Sequence, residues 1–243
     1  MRVLLLKEIR GFFSSLTGYM VIIVFLMINS LFLWVFPGDM NIPDTGYANL
    51  DPLFQIAPWI FLFLVPAITM RSFAEEKRSG TLEFLFTKPL SDLQIIIAKY
   101  IGSVILVLFA LIPCLVFYVS VYKLGNPPGN LDTGGTWGAF IGLFFLAAIY
   151  VAVGIFASAV TENQIVAFIV AVMLCFLLYM GFDFLSEVPW LQHSDTFLLN
   201  MGINEHYKSI SRGVIDSRDI IYYLVVITGF ISLTRLKLQS QNW

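Results

Sequence analysis

The chain has 243 residues, of which 58% are hydrophobic and only 12% charged, and its net charge is −2. A soluble domain carries roughly twice that share of charge, so a mean hydropathy of +0.85 makes a lipid bilayer the solvent for most of the sequence. The charge balance excludes a bulk basic surface for nucleic acid. The two cysteines, Cys114 and Cys175, lie in apolar stretches and read as small buried hydrophobes.

Residues 1–10 hold an apolar run of only 3–6, and no small-residue cleavage site comes after it. They read as mature protein rather than a secretory signal. Within 2–16, Val3, Leu6, Ile9, Phe13 and Leu16 recur at helical spacing, while Arg2, Lys7, Glu8 and Arg10 fall elsewhere. Two readings remain: a short amphipathic helix lying on the membrane face, or the first turns of a span.

A spanning helix needs about 20 mostly apolar residues. The stretches 16–36, 53–70, 100–122, 137–160 and 164–182 meet or approach this, and none holds an ionisable Asp, Glu, Lys, Arg or His. A sixth, 220–234, is short and reaches about 236 if Arg235 and Lys237 extend their heads to the interface. The apolar runs do not alternate as barrel strands would. The expected fold is therefore an all-α integral membrane protein of six spans, with residues 1–243 forming one membrane domain.

Lys and Arg fall mainly on one side. That side carries Arg2, Lys7, Arg10, then Arg71, Lys77, Arg78, Lys88 and Lys99 in the loop after the second span, then Arg235 and Lys237. The other side carries Lys123, Lys208, Arg212 and Arg218. The positive-inside rule then puts both termini in the cytoplasm.

Three helix starts are marked. Ser91-Asp92-Leu93-Gln94 is a capping box with Leu90 and Ile95 as its staple, Thr161-Glu162-Asn163-Gln164 repeats the pattern, and Asp216-Ser217-Arg218-Asp219 is a weaker third case. Pro58, Pro66 and Pro113 predict kinks within spans. Gly138-x-x-x-Gly142 and Gly154-x-x-x-Ser158 allow close helix approach on the fourth span.

The sequence shows no engine. It has no Gly-Lys dipeptide for a phosphate-binding loop and no HExxH, and its histidines, His193 and His206, read as surface residues of one outer loop. Glu75-Glu76 lies among loop charges, not at membrane depth. Only uncharged polar residues such as Asn29, Ser103 and Ser120 occur within the spans. Gradient-driven pumps place ionisable groups there, so free energy for uphill movement must enter from another polypeptide.

The loop after the second span carries both signs of charge up to Gly80, then an amphipathic turn in which Leu82, Leu85 and Phe86 share a face, then Pro89. It fits a short helix presenting charges to the cytosol, and equally an ordinary solvated loop.

Glu76-Lys77-Arg78-Ser79-Gly80-Thr81-Leu82-Glu83, then Thr87-Lys88-Pro89-Leu90-Ser91 and Lys99, resembles the signature of the ABC-2 type transporter permeases. The Lys7-Glu8 helix, six spans and the Ser158-x-x-Thr161-Glu162-Asn163-Gln164 turn agree with it. Within the family the chain looks most like the permease subunit of the gliding-motility transporters of Bacteroidetes. The resemblance covers about residues 2–236 and implies a non-catalytic permease in the bacterial inner membrane, exporting at the expense of ATP bound by a separate ATPase subunit, with no cofactor of its own. It implies that the first cytoplasmic loop is a coupling helix in a cleft of that ATPase. Glu75, Glu76, Lys77, Arg78 and Glu83 would make charged contacts, Gly80 would allow the turn and Thr81 would cap the segment after it. Thr161, Glu162, Asn163 and Gln164 would form a smaller second contact. It implies pairing with a second copy or a paralogous permease, and short external helices between spans five and six, which 194–213 fits with Phe197, Leu198, Leu199, Met201 and Ile203. The alternative function is a non-transporting membrane anchor of a motility or secretion complex. The substrate is not legible.

Overall fold

The computed structural model describes residues 1–86, 90–188, 199–213 and 216–240. Every regular element among them is helical. In chain order these are α1 (Arg2–Phe13), α2 (Leu16–Ser30, continued by a π-helical turn Leu31–Val35), α3 (Ile42–Thr45), α4 (Asp51–Thr69), α5 (Ala74–Arg78) and α6 (Thr81–Phe86). Next come α7 (Asp92–Leu111), α8 (Leu115–Leu124), α9 (Thr133–Val160), α10 (Gln164–Phe176, continued by a π-helical turn Leu177–Gly181), α11 (Phe182–Ser186), α12 (Ile203–Ser211) and α13 (Ser217–Gln239). Six helical runs are long and apolar enough to cross a bilayer. The chain is an all-α membrane protein of six spans.

The fourth span, α9, is the centre. It touches α4, α7, α10, α12 and α13, and most of it is buried. Lipid is as apolar as leucine, so the spans are held by close packing rather than by exclusion from water. Small residues provide that packing on both expected motifs. A Cβ on Gly154 would stand 2.0 Å from the Thr69 hydroxyl, and one on Gly138 would stand 2.7 Å from the Gly213 backbone. At Gly142 it would meet the Ile210 side chain at 3.2 Å. The first glycine thus seats α4 on α9, and the other two seat α12 and its C-terminal turn.

The last span is not short. Its helix runs Ser217–Gln239, so the apolar stretch is flanked by two polar helical ends that lengthen it. Pro113 falls in a 3₁₀ turn, Ile112–Cys114, that separates α7 from α8, as a missing amide requires. Pro58 and Pro66 lie inside the continuous helix α4. The Ser91 capping box forms, with Gln94 N–H donating to Ser91 Oγ at 3.3 Å and Ser91 N–H to Gln94 Oε1 at 3.1 Å. Asp216 caps α13 through the Arg218 amide.

Helix α1 forms, and its apolar stripe divides between surroundings, with Phe13 packed edge-on against Phe109 while other members face outward. Leu4 is buried and Glu8 turns toward α7, whereas Val3, Leu6 and Leu16 are exposed. An apolar side chain exposed to hydrocarbon is not penalised, so the apolar side of a membrane-surface helix need not be the side that meets the protein.

At the end of the bundle away from α1, Ile203, Tyr207 and Ile210 of α12 are buried. The Tyr207 hydroxyl donates to the Phe54 carbonyl at 2.7 Å, and burial pushes this phenol well above its usual pKa, keeping it a neutral donor. His206 is not a surface residue. Its Nδ1 lies 2.6 Å from Asp219 Oδ1 and its ring stacks on Tyr222 at 3.9 Å. His193, Phe197 and Leu198 lie outside the described residues, as do Thr87, Lys88 and Pro89. Cys114 and Cys175 are free and buried.

A candidate coupling site at the α1 end of the bundle

The chain leaves α4 at Thr69, turns through 70–73 and enters α5. The first amides of any helix lack intrahelical partners. Here a side chain from another span supplies one. Ser158, fully buried near the end of α9, accepts hydrogen bonds from Phe73 N–H at 2.9 Å and Ala74 N–H at 3.0 Å. The same hydroxyl donates to the Met70 carbonyl at 3.0 Å. One turn earlier on α9 is Gly154, where Thr69 packs. Close approach at the glycine brings the serine within reach of the turn.

Lys77 makes a second tie. Its ammonium donates to the Ala159 carbonyl at the C-terminal end of α9. Glu162 and Lys237 lie within electrostatic range of it. The end of α4, the end of α9, the 161–163 turn and the tail of α13 therefore meet around α5.

Lys99 forms the third tie. The sequence reading places it in the loop after the second span, and it is instead a residue of α7 with 1% side-chain exposure. Its ammonium lies 2.9 Å from Glu8 Oε1 and 3.0 Å from Glu76 Oε2, donates to the Ser72 carbonyl at 2.7 Å, and sits 5.1 Å from the centre of the Phe73 ring. Lys7 lies 3.4 Å from the other Glu76 oxygen. Helix α7 extends beyond its apolar run at this end, so a charge belongs to the span's helix after all. A buried ammonium persists only with such partners. A Cβ on Gly102 would stand 3.2 Å from Glu8 Cβ, so α1 lies close on α7 at this point.

The remaining loop residues divide by exposure. Glu76 and Lys77 are partly buried by the contacts above, and Leu82 is buried. Glu75, Arg78, Gly80, Thr81, Glu83 and Phe84 are exposed. Gly80 has φ +66°, the left-handed region that favours glycine, and it breaks α5 from α6. Ser79 Oγ and Thr81 Oγ1 are 2.8 Å apart, and Thr81 Oγ1 donates to the Glu76 carbonyl at 3.3 Å, closing the turn.

In the 161–163 turn the expected capping box on Thr161 is not formed. Asn163 caps α10 through the Ile165 amide at 2.9 Å, and Thr161 Oγ1 accepts from Asn163 N–H at 3.1 Å. Helix α9 continues to Val160, and with three residues left the cap falls to the one adjoining Gln164. Glu162 and Asn163 are exposed, and Thr161 and Gln164 partly so.

Two of the expected contact groups thus share one surface, because Lys77 reaches from the α5 segment to the end of α9. Nothing in the sequence directly signals the Ser158 bonds or the Glu8–Lys99–Glu76 cluster. Lys7-Glu8, Glu76 and Lys99 each belong to the recognised pattern, but their side chains meet only in three dimensions.

No curated protein matches the chain. The family model described as ABC-2 family transporter protein matches residues 40–198, which include α5, α6 and the 161–163 turn. That match spans well over half of the sequence, and together with the six spans it means that the chain belongs to the ABC-2 family of transporter membrane proteins.

Proposed function

We propose that the chain is the permease subunit of an ABC exporter, driven by ATP hydrolysis in a separate ATPase subunit. The observation that carries this reading is the triple tie of α5 to Ser158, Ala159 and Lys99. A segment pushed from outside moves the bundle only if it is fixed to it, and α5 is fixed to α9 and α7 at once. Exposed Arg78 and Glu83 are then the charges that meet the ATPase, with Glu162, Asn163 and Gln164 as the second contact. Glu75 borders the same surface, Glu76 and Lys77 fasten it to the spans, and Gly80 with Thr81 sets the angle between α5 and α6.

Differential contacts in the nucleotide-bound and nucleotide-free states would shift the spans between two arrangements, as coupling by ligand-driven populations requires. The concentration of Lys and Arg at the α1 end supports a cytoplasmic location for that end and for both termini. The resemblance to gliding-motility permeases supports a bacterial inner membrane, pairing with a second copy or a paralogous permease, and a link to gliding motility. A photo-crosslinking amino acid at position 83 tests the reading in cells. The expected adduct is with an ABC ATPase polypeptide. An adduct only with some other protein would favour the membrane anchor.

A further inference from the structure

Two cavities meet between the first two spans. The first, of about 570 Å³, opens under α1 and is lined at its polar end by Lys7, Glu8, Arg71, Glu75, Glu76 and Lys99. The second, of about 660 Å³, is a groove with an apolar lining that includes Met20, Val24, Phe32, Ile60, Phe63 and Phe168. Val21 and Ala67 line both, so the charged cavity and the groove adjoin at these two residues. A charged chamber adjoining an apolar channel is the shape of one amphiphile.

We propose that this paired cavity holds one resident zwitterionic phospholipid from the leaflet at the α1 end. The charges select the headgroup. Lys99 and Lys7 are engaged with Glu8 and Glu76. Among the described residues, Arg71 and Glu75 have no ion-pair partner. They offer one cation for a phosphate and one carboxylate for an ammonium. A purely anionic headgroup would satisfy Arg71 and face three glutamates.

The groove selects the tail. From Met20 to Phe32 the helix advances about 18 Å at 1.5 Å per residue, slightly more than half of a roughly 30 Å hydrocarbon core. That is the reach of an acyl chain in one leaflet. The lipid fills the elbow between α1 and the second span and is distinct from cargo, which must leave.

The full-length protein is reconstituted in vesicles of equal phosphatidylethanolamine and phosphatidylglycerol, extracted in mild detergent and weighed by native mass spectrometry. About one phosphatidylethanolamine per chain is expected, at least tenfold over phosphatidylglycerol. Arg71→Glu, an exposed change that leaves the helices intact, lowers that retention at least tenfold, and Ala67→Trp, which plugs the junction, does the same. Ile221→Trp, on the exposed face of the last span, retains the lipid. A chain that retains no lipid, retains both lipids alike or prefers phosphatidylglycerol overturns the proposal, and so does undiminished retention in monodisperse Arg71→Glu protein.

Discussion

The Ser158 hydroxyl oxygen lies 2.9 Å from the Phe73 amide nitrogen, joining the end of the fourth span to a turn 85 residues earlier in the chain. The same oxygen serves Ala74 and Met70, so one side chain satisfies two buried donors and one acceptor. A buried polar group left unpaired costs about 1–3 kcal/mol. Ser158→Ala therefore lowers stability by more than a typical surface change, by about 2–4 kcal/mol if relaxation is partial. A thermal scan in detergent reads the loss, and limited proteolysis locates it at residues 71–80. An unchanged melting temperature would mean that the turn is held by other contacts.

Lys99 anchors two carboxylates from different elements. Removing one member of a buried ion pair costs about 3–5 kcal/mol, with the lower end apt here because Glu8 and Glu76 retain some exposure. Lys99→Met destabilises the protein accordingly and frees α1 for cleavage. Adding Glu8→Gln and Glu76→Gln recovers most of the loss, since the stranded charges are then gone. Lys208→Met, at an exposed pair with Glu205, changes stability by under about 1 kcal/mol. Equal effects of the two lysine changes would remove the case for a buried anchor.

Glycines on two spans separate packing from propensity. Gly154→Ala forces a methyl against Thr69 and opens the α4–α9 contact, so expression and thermal stability both fall. Gly229→Ala on the last span meets nothing within 4 Å and is neutral or slightly stabilising by helix propensity. The pair compared in one thermal assay checks this ordering.

Gly80→Ala introduces a side chain at φ +66° into open space. The strain is about 1–2 kcal/mol, confined to the turn between α5 and α6. The expected result is reduced recovery of the ATPase on co-purification, with membrane insertion unchanged. Full recovery would show that the α5–α6 angle does not matter for docking.

The spans are legible in the sequence because about 20 apolar residues have few other destinations than a membrane, and the Ser91 and Asp216 caps are legible because capping is a local pattern. The loop between α4 and α7 is legible only through its resemblance to a family, since its composition alone fits a solvated loop as well. What stays hidden is non-local. The Lys99–Glu8 contact joins residues 91 positions apart, and Ser158 looks like any small residue on an apolar helix. Thr161 is misread as a cap because sequence alone does not fix the end of α9 to one residue.

Coupling through α5 requires that the segment ending near Glu83 face the cytoplasm, where a nucleotide-driven motor can grip it. Labelling of intact cells with a membrane-impermeant maleimide decides this, using Glu83→Cys and Lys208→Cys variants of the full chain. Both native cysteines are buried and give a low background. Lys208→Cys is expected to react in intact cells, and Glu83→Cys only after the membrane is opened. Labelling of Glu83→Cys from outside intact cells would contradict a cytoplasmic coupling segment.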